Sequence, residues 1–176
     1  MSILTNQPTN RNFLSQLGFK FQVKKLPTTN YFVQSVNLPS ITLGDSAEDN
    51  PFVRIPIPGD HLTYSDLVLQ FRVDEDFKNY LELHNWLTGL GFPEGFTQYK
   101  TLEDQALKEQ GTGEGIYSDA SLIILDSAMN PNIEILFQDL YVTSLTDLEF
   151  SSVATDVDYI LCTATFRYKI YKINQL

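Results

Sequence analysis

Residues 67–96 read LVLQFRVDEDFKNYLELHNWLTGLGFPEGF, and the period of their apolar residues changes once along the way. Leu67, Leu69, Phe71 and Val73 alternate with Val68, Gln70 and Arg72, the period-two pattern of a strand buried on one side. From Phe77 the spacing turns to threes and fours. Phe77, Tyr80, Leu81, His84 and Leu87 mark one apolar helix face. Asp74, Glu75 and Asp76 stand at the junction, where carboxylates cap free N–H groups and suit the positive end of the helix dipole. Gly89 and Gly91 are expected to stop the helix, and Pro93 to prevent its continuation. A strand therefore feeds a helix at about residues 75–89, and no second helix of comparable quality is evident. The expected fold is α+β but mainly β: an antiparallel β-sandwich or barrel with one flanking helix.

The 176 residues suit a single domain spanning 1–176. With 12 basic and 22 acidic side chains the net charge is −10, which repels nucleic acid from the surface at large. One cysteine, Cys162, leaves no intrachain disulfide and no cysteine-rich zinc site. The opening MSILTNQPTNRNF lacks the basic and apolar regions of a signal peptide. No run reaches the ~18–20 apolar residues needed to span a bilayer. The expectation is a soluble protein made in a cytoplasm, with no membrane partner.

Residues 1–11 are polar and read as an arm or a frayed end. Phe19, Phe21 and Val23 form a strand, 27–30 a turn, and Tyr31–Val36 a second strand; the two read as a hairpin. Residues 41–63 form an extended connection whose Pro51, Pro56 and Pro58 bar it from a central strand. Yet Phe52, Val53, Ile55 and Ile57 are too apolar for a free loop. This segment is an edge or arm that covers its own sheet in a monomer and a neighbour in an oligomer. Pro58-Gly59-Asp60 reads as a turn. Thr97–Gln110 has room for a short helix, and residues 111–115, GTGEG, read as a mobile loop. Strands follow at 122–126 and 133–138. The last and longest strand carries Ile160, Cys162, Ala164, Phe166, Tyr168 and Ile170 on one face and Thr163, Thr165, Arg167 and Lys169 on the other. A dozen such residues span roughly 40 Å at ~3.3 Å each. Such a strand overhangs its sheet and pairs with a neighbour, or curls around a sandwich corner within one chain.

Catalytic patterns are missing. His61 and His84 are the only histidines, and neither sits in a zinc motif. GTGEG lacks the residues that make a phosphate-binding loop, the acids at 74–76 lack calcium-loop spacing, and no nucleophile elbow occurs. His84 and Trp86 read as packing or contact residues and Cys162 as inert core. No enzyme, no cofactor and no metal site is expected.

Three stretches resemble the tail-tube proteins of contractile phage tails. They are FKFQVKKLPTTNYFVQSVNLPSITL at 19–43, PIPGDHLTYSDLVLQFRVDEDFKNYLELHNWLTGL at 56–90, and FQDLYVTSLTDLEFSSVATDVDYILCTATFRYKIY at 137–171. Val142 stands where that family has a proline, and 97–132 is longer than in a plain tube subunit. Such additions occur in baseplate-proximal tube initiators and in tail terminators. The resemblance implies a virion protein, assembled in the host cytoplasm, whose hexameric rings stack into a DNA conduit. It implies partners in the tube, sheath or baseplate, and only transient contact with DNA. On this reading Thr163, Thr165 and Arg167 face the lumen, and Pro51, Phe52, Val53, Ile55 and Ile57 form an inter-subunit arm. A monomeric β-rich ligand-binding module is the alternative of a different class.

Overall fold

The computed structural model describes residues 12–109, 115–153 and 158–176. The N-terminal arm at 1–11 and residues 111–114 of the glycine-rich loop lie outside them. Nine strands and three helices follow in the order β1 (Phe19–Val23), α1 (Pro27–Tyr31), β2 (Val33–Val36), β3 (Ile41–Asp49), β4 (Arg54–Tyr64), β5 (Leu67–Arg72), α2 (Lys78–Gly91), α3 (Phe96–Glu109), β6 (Ser118–Leu125), β7 (Pro131–Leu145), β8 (Leu161–Arg167) and β9 (Ile170–Gln175). All strand pairs are antiparallel. Seven strands form one sheet in the order β1-β6-β7-β8-β5-β2, with β9 also on β7, while β3 and β4 pair only with each other.

The strand–helix stretch builds the core as its periodicity requires. Leu67, Leu69 and Phe71 of β5 are buried beside Cys162, Ala164 and Phe166 of β8, with Val68 and Arg72 outward. The helix differs in detail. It begins at Lys78, after Phe77 in a left-handed conformation (φ 61°), and no side chain caps it. The junction is held instead by buried Asn79. Its Oδ1 accepts from Asp74 N at 3.2 Å, and its Nδ2 donates to Arg72 O at 2.7 Å. This internal link pairs two backbone groups of the strand–helix junction and leaves the first-turn N–H groups, which the three acids are expected to cap, without a side-chain cap. The buried face is also rotated, to Asn79, Leu83, Trp86 and Gly89, leaving Leu81 and His84 exposed. Of two overlapping apolar stripes, the one carrying the large indole wins the core.

Gly89 does not end α2. A Cβ there would lie 2.4 Å from Leu102 Cδ1, so the bare backbone admits a second helix, α3, as long as α2. The expectation of one helix is thereby corrected. Phe92 provides the left-handed cap instead (φ 35°).

The first two strands are not a hairpin. β1 pairs with β6 and β2 with β5, at opposite edges of the sheet. Helical turn α1 between them sends the chain across. Glu82 of α2 accepts from Thr28 N and Thr29 N at 3.3 Å and fixes that turn.

The longest strand is β7, of 15 residues, and the terminal strand is broken into β8 and β9. The pairing nevertheless runs straight through the break. Val142↔Phe166, Tyr141↔Arg167, Gln138↔Ile170 and Ile133↔Gln175 share one register. Asp139, at φ 54°, marks the bend, and Lys169 N still donates to Gln138 O at 3.0 Å. One long bent hairpin thus joins the two halves of the sheet around a common core.

Candidate functional site

Two surfaces stand out, neither of them a catalytic cleft. The first is the outward face of β5 and β8. Thr163 lies opposite Gln70 and Thr165 opposite Val68, on strands in the middle of the sheet. Their partners on the inward face, Cys162, Ala164 and Phe166, are fully buried, while Thr163 and Thr165 are half-buried and Arg167 is exposed. The period-two division expected of this strand therefore holds through β8. Thr143 donates through Oγ1 to Thr165 O at 3.0 Å, so hydroxyls extend across the neighbouring strand. Arg167 Nε lies 3.2 Å from Asp66 Oδ1, and Arg72 stacks on Tyr159 at 4.5 Å. The outward positions of β5 and β8 carry no carboxylate: they read Val, Gln, Arg and Leu, Thr, Thr, Arg. The acidic excess lies elsewhere.

The second surface is the β3–β4 hairpin. Residues 41–63, expected as an extended connection, form paired strands around a tip at Asn50–Val53. Nearly every residue is exposed, including Ile41, Leu43, Ile55, Ile57 and Leu62, and Phe52 at the tip is 95% exposed. Pro51 is at the tip, and Pro56 and Pro58 lie in a two-stranded ribbon with no central position, where a missing N–H is tolerated. Pro58-Gly59-Asp60 is no turn. The register slips between Leu43 and Asp45, and Gly59 crosses Gly44 so closely that a Cβ would come 2.4 Å from Gly44 O.

The root of this arm is fixed. Ser65 N donates to Ser40 O at 3.0 Å, Tyr168 OH to Ser65 O at 3.0 Å, and Tyr171 OH to Pro39 O at 3.3 Å. The rings of Tyr64, Tyr168 and Tyr171 pack together, with Phe137 beside the last two. Burial, and then the neighbouring Tyr171, Tyr64 and Asp66, push the Tyr168 hydroxyl up to about 12, so it stays a donor at neutral pH. Sequence periodicity gives no hint of this cluster, because Tyr64, Phe137 and Tyr171 come from three separate strands and Tyr168 from the break between β8 and β9.

At the other end of β5 lies an open groove of about 720 Å³. Tyr31, Phe32, Phe77, Phe150 and Tyr159 supply its rings, and Asp74, Glu75 and Asp158 its acids.

The remaining candidates are structural. Trp86 is 2% exposed and donates from Nε1 to Ile116 O at 3.0 Å. Burial pushes the Cys162 thiol up, against a smaller opposing effect of Thr146, as suits packing. Among the described residues no three His, Cys, Asp or Glu side chains are grouped to hold a metal. Among them, too, no helix is long and apolar enough to cross a membrane.

No protein-family model matches the chain. In sequence it is similar to the tail tube terminator protein of Enterobacteria phage T4, 27% identical over 167 residues, covering 84% of this chain and 88% of the relative. Among solved structures it is similar to a chain of the PVC extracellular contractile injection system, sheath–tube complex in the extended state (TM-score 0.63, 14% identity, 94% of both chains). It is also similar to the anti-feeding prophage tube-terminating cap (TM-score 0.59, 12% identity, 100% of both chains). A third likeness is to a chain of the PVC sheath/tube terminator in the extended state (TM-score 0.60, 12% identity, 93% of this chain and 97% of that one).

Proposed function

We propose, from the premise that this chain is a structural protein of the contractile tail-tube type and not an enzyme, that it forms the terminating ring of a tail tube. Six copies close into a ring around a channel through which DNA passes. The observation that carries this reading is the pairing of two surfaces on one small fold: a hydroxyl-rich outward sheet face and a fixed, exposed apolar arm. A solvated polar sheet face is ordinary in an isolated domain, but an exposed apolar arm is not. In a ring, the arm is covered by a neighbour and the Thr163–Thr165 face meets water.

The chemistry of that face suits a conduit. Threonine and glutamine offer hydrogen bonds to water without a fixed cationic track, so a passing polyanion is not held by counterion release. Of the two cations present, Arg167 is paired with Asp66, whereas Arg72 stacks on Tyr159 and keeps its charge. Tube, sheath and baseplate proteins are the partners this assembly requires, and the virion tail is its location. Similarity to a phage tube terminator and to a tube-terminating cap favours the end of the tube over its repeating body.

The test is direct. Purified full-length protein is measured by light scattering at rising concentration and imaged by electron microscopy. Six-fold rings with a central hole are expected. A particle that remains a monomer at the highest concentration would sink the reading.

A further inference from the structure

The arm and the aromatic groove lie at opposite ends of one strand. The arm's root, Tyr64-Ser65-Asp66, precedes Leu67, whereas the groove begins at Arg72 and includes Asp74 and Glu75. Strand β2 confirms the polarity. Its Val33 pairs with Phe71 at the groove end, and past its other end the Asn37 side chain bonds Val68 N and Asp66 O. Six residues of strand separate root from groove by roughly 20 Å. A projecting element and a receptive one, offset along a rigid strand, define a head-to-tail contact between copies.

We propose that the groove lined by Tyr31, Phe32, Phe77, Phe150 and Tyr159 receives the arm tip Pro51-Phe52-Val53 of a second copy of this chain. This rests on the reading of the arm as an inter-subunit element and adds its receptor. The tip and the groove match in kind. Phe52 is a rigid anchor with little side-chain entropy to lose, and aromatic rings favour offset or edge-on packing with others. Tyr31, Phe150 and Tyr159 are themselves largely exposed in the single chain, so the groove is as incomplete as the arm. The charges agree as well. Arg54 follows the tip directly, and along the groove the three acids Asp74, Glu75 and Asp158 outnumber the one cation, Arg72, which is stacked on Tyr159. An Arg54 guanidinium reaching those carboxylates fixes the orientation of the docked tip.

The contact is heterologous: the tip never meets another tip. Copies joined this way either close into a ring or continue as a stack, and the offset along β5 sets which.

Val53→Cys and Tyr31→Cys variants of the full chain are prepared separately, one with a tag so that mixed pairs differ in mass. The two are mixed and mildly oxidised, with light scattering in parallel. A mixed-mass disulfide pair is expected, exceeding by at least tenfold the products of either variant mixed with the unaltered chain, whose Cys162 is buried. Adding Phe52→Ala to the Val53→Cys chain is expected to cut the yield at least tenfold, and Arg54→Glu to lower it. Assembled particles without the mixed pair would overturn the groove assignment and leave the ring reading standing. A chain that never associates would overturn both. In a Val53→Cys/Tyr31→Cys double variant, a disulfide within one monomer would make the chain's own arm the occupant. A Tyr31→Cys thiol that stays open to maleimide in assembled particles would leave the groove to some other partner. Either result would overturn the proposal.

Discussion

Trp86 is the largest buried side chain among the described residues. Its ring is buried, its indole N–H is satisfied by Ile116 O, and it packs 6.2 Å from the ring of Phe166. Lys25 Nζ sits over its ring, 5.2 Å from the centroid. Trp86→Ala is expected to cost about 3–5 kcal/mol in chemical denaturation. A loss below about 1 kcal/mol would mean that the ring is dispensable and that the helix face is free for a ligand. At this scale the sequence was legible wherever burial follows a simple period. Leu67, Leu69, Phe71, Cys162, Ala164 and Phe166 lie inside as alternation requires. It was not legible where one polar or missing side chain serves a distant partner. Asn79 reads as an ordinary helix residue until it is seen to bridge Arg72 and Asp74. Gly89 reads as a stop until Leu102 is seen to need its space.

At the scale of elements, local sequence pattern marks strands better than it marks their pairings. The segment at 19–36 looks like a hairpin because two apolar runs flank a turn, yet α1 carries the second run to the opposite edge of the sheet. Local pattern specifies a strand, whereas its neighbour is chosen by long-range packing. The second helix is longer than its polar sequence suggests because a narrow apolar face around Leu102 is enough to seat it on α2. In residues 41–63 the prolines bar a central strand, and they lie outside the seven-stranded sheet, but nothing in the local pattern announces that the two halves pair as a ribbon. Its independence from the body gives a clean experiment. Ser46 pairs with Ile57 and Asp45 with Pro58, so replacing residues 46–57 by a two-residue turn removes the outer ribbon at a natural closure point. The shortened monomer is expected to keep its stability within about 0.5 kcal/mol, because the removed residues are almost all exposed. Assembly into rings or stacks should weaken or disappear in sedimentation. Unfolding of the shortened monomer would show that the arm covers its own core.

For the whole molecule, the decisive question is which face of β8 meets water once copies assemble. The inward face is committed to the core, and a one-residue slip would exchange the two faces completely. Thr163→Cys, in a chain whose Cys162 is replaced by alanine, places one thiol on the outward face. It is expected to react with a small maleimide in assembled particles about as fast as in the monomer. Complete protection on assembly would bury that face, and the channel would have to be sought elsewhere. β7 keeps one register with β9 and the end of β8, from Ile133↔Gln175 to Val142↔Phe166, and slips by one residue before Ser144↔Thr165, so this face continues the same sheet past a bulge.

The arm has a mechanical consequence. A β-strand rises ~3.3 Å per residue, and a chain pulled straight spans at most ~3.3–3.6 Å per residue. The strands Ile41–Asp49 and Arg54–Tyr64 are therefore near their full contour length already. A helix or loop under axial load lengthens before it transmits force; this ribbon has almost no slack to give up. Its root is clamped by tyrosine hydroxyls and its tip ends in a bulky ring. Tension applied at Phe52 would therefore pass to the body of the chain with almost no stretch.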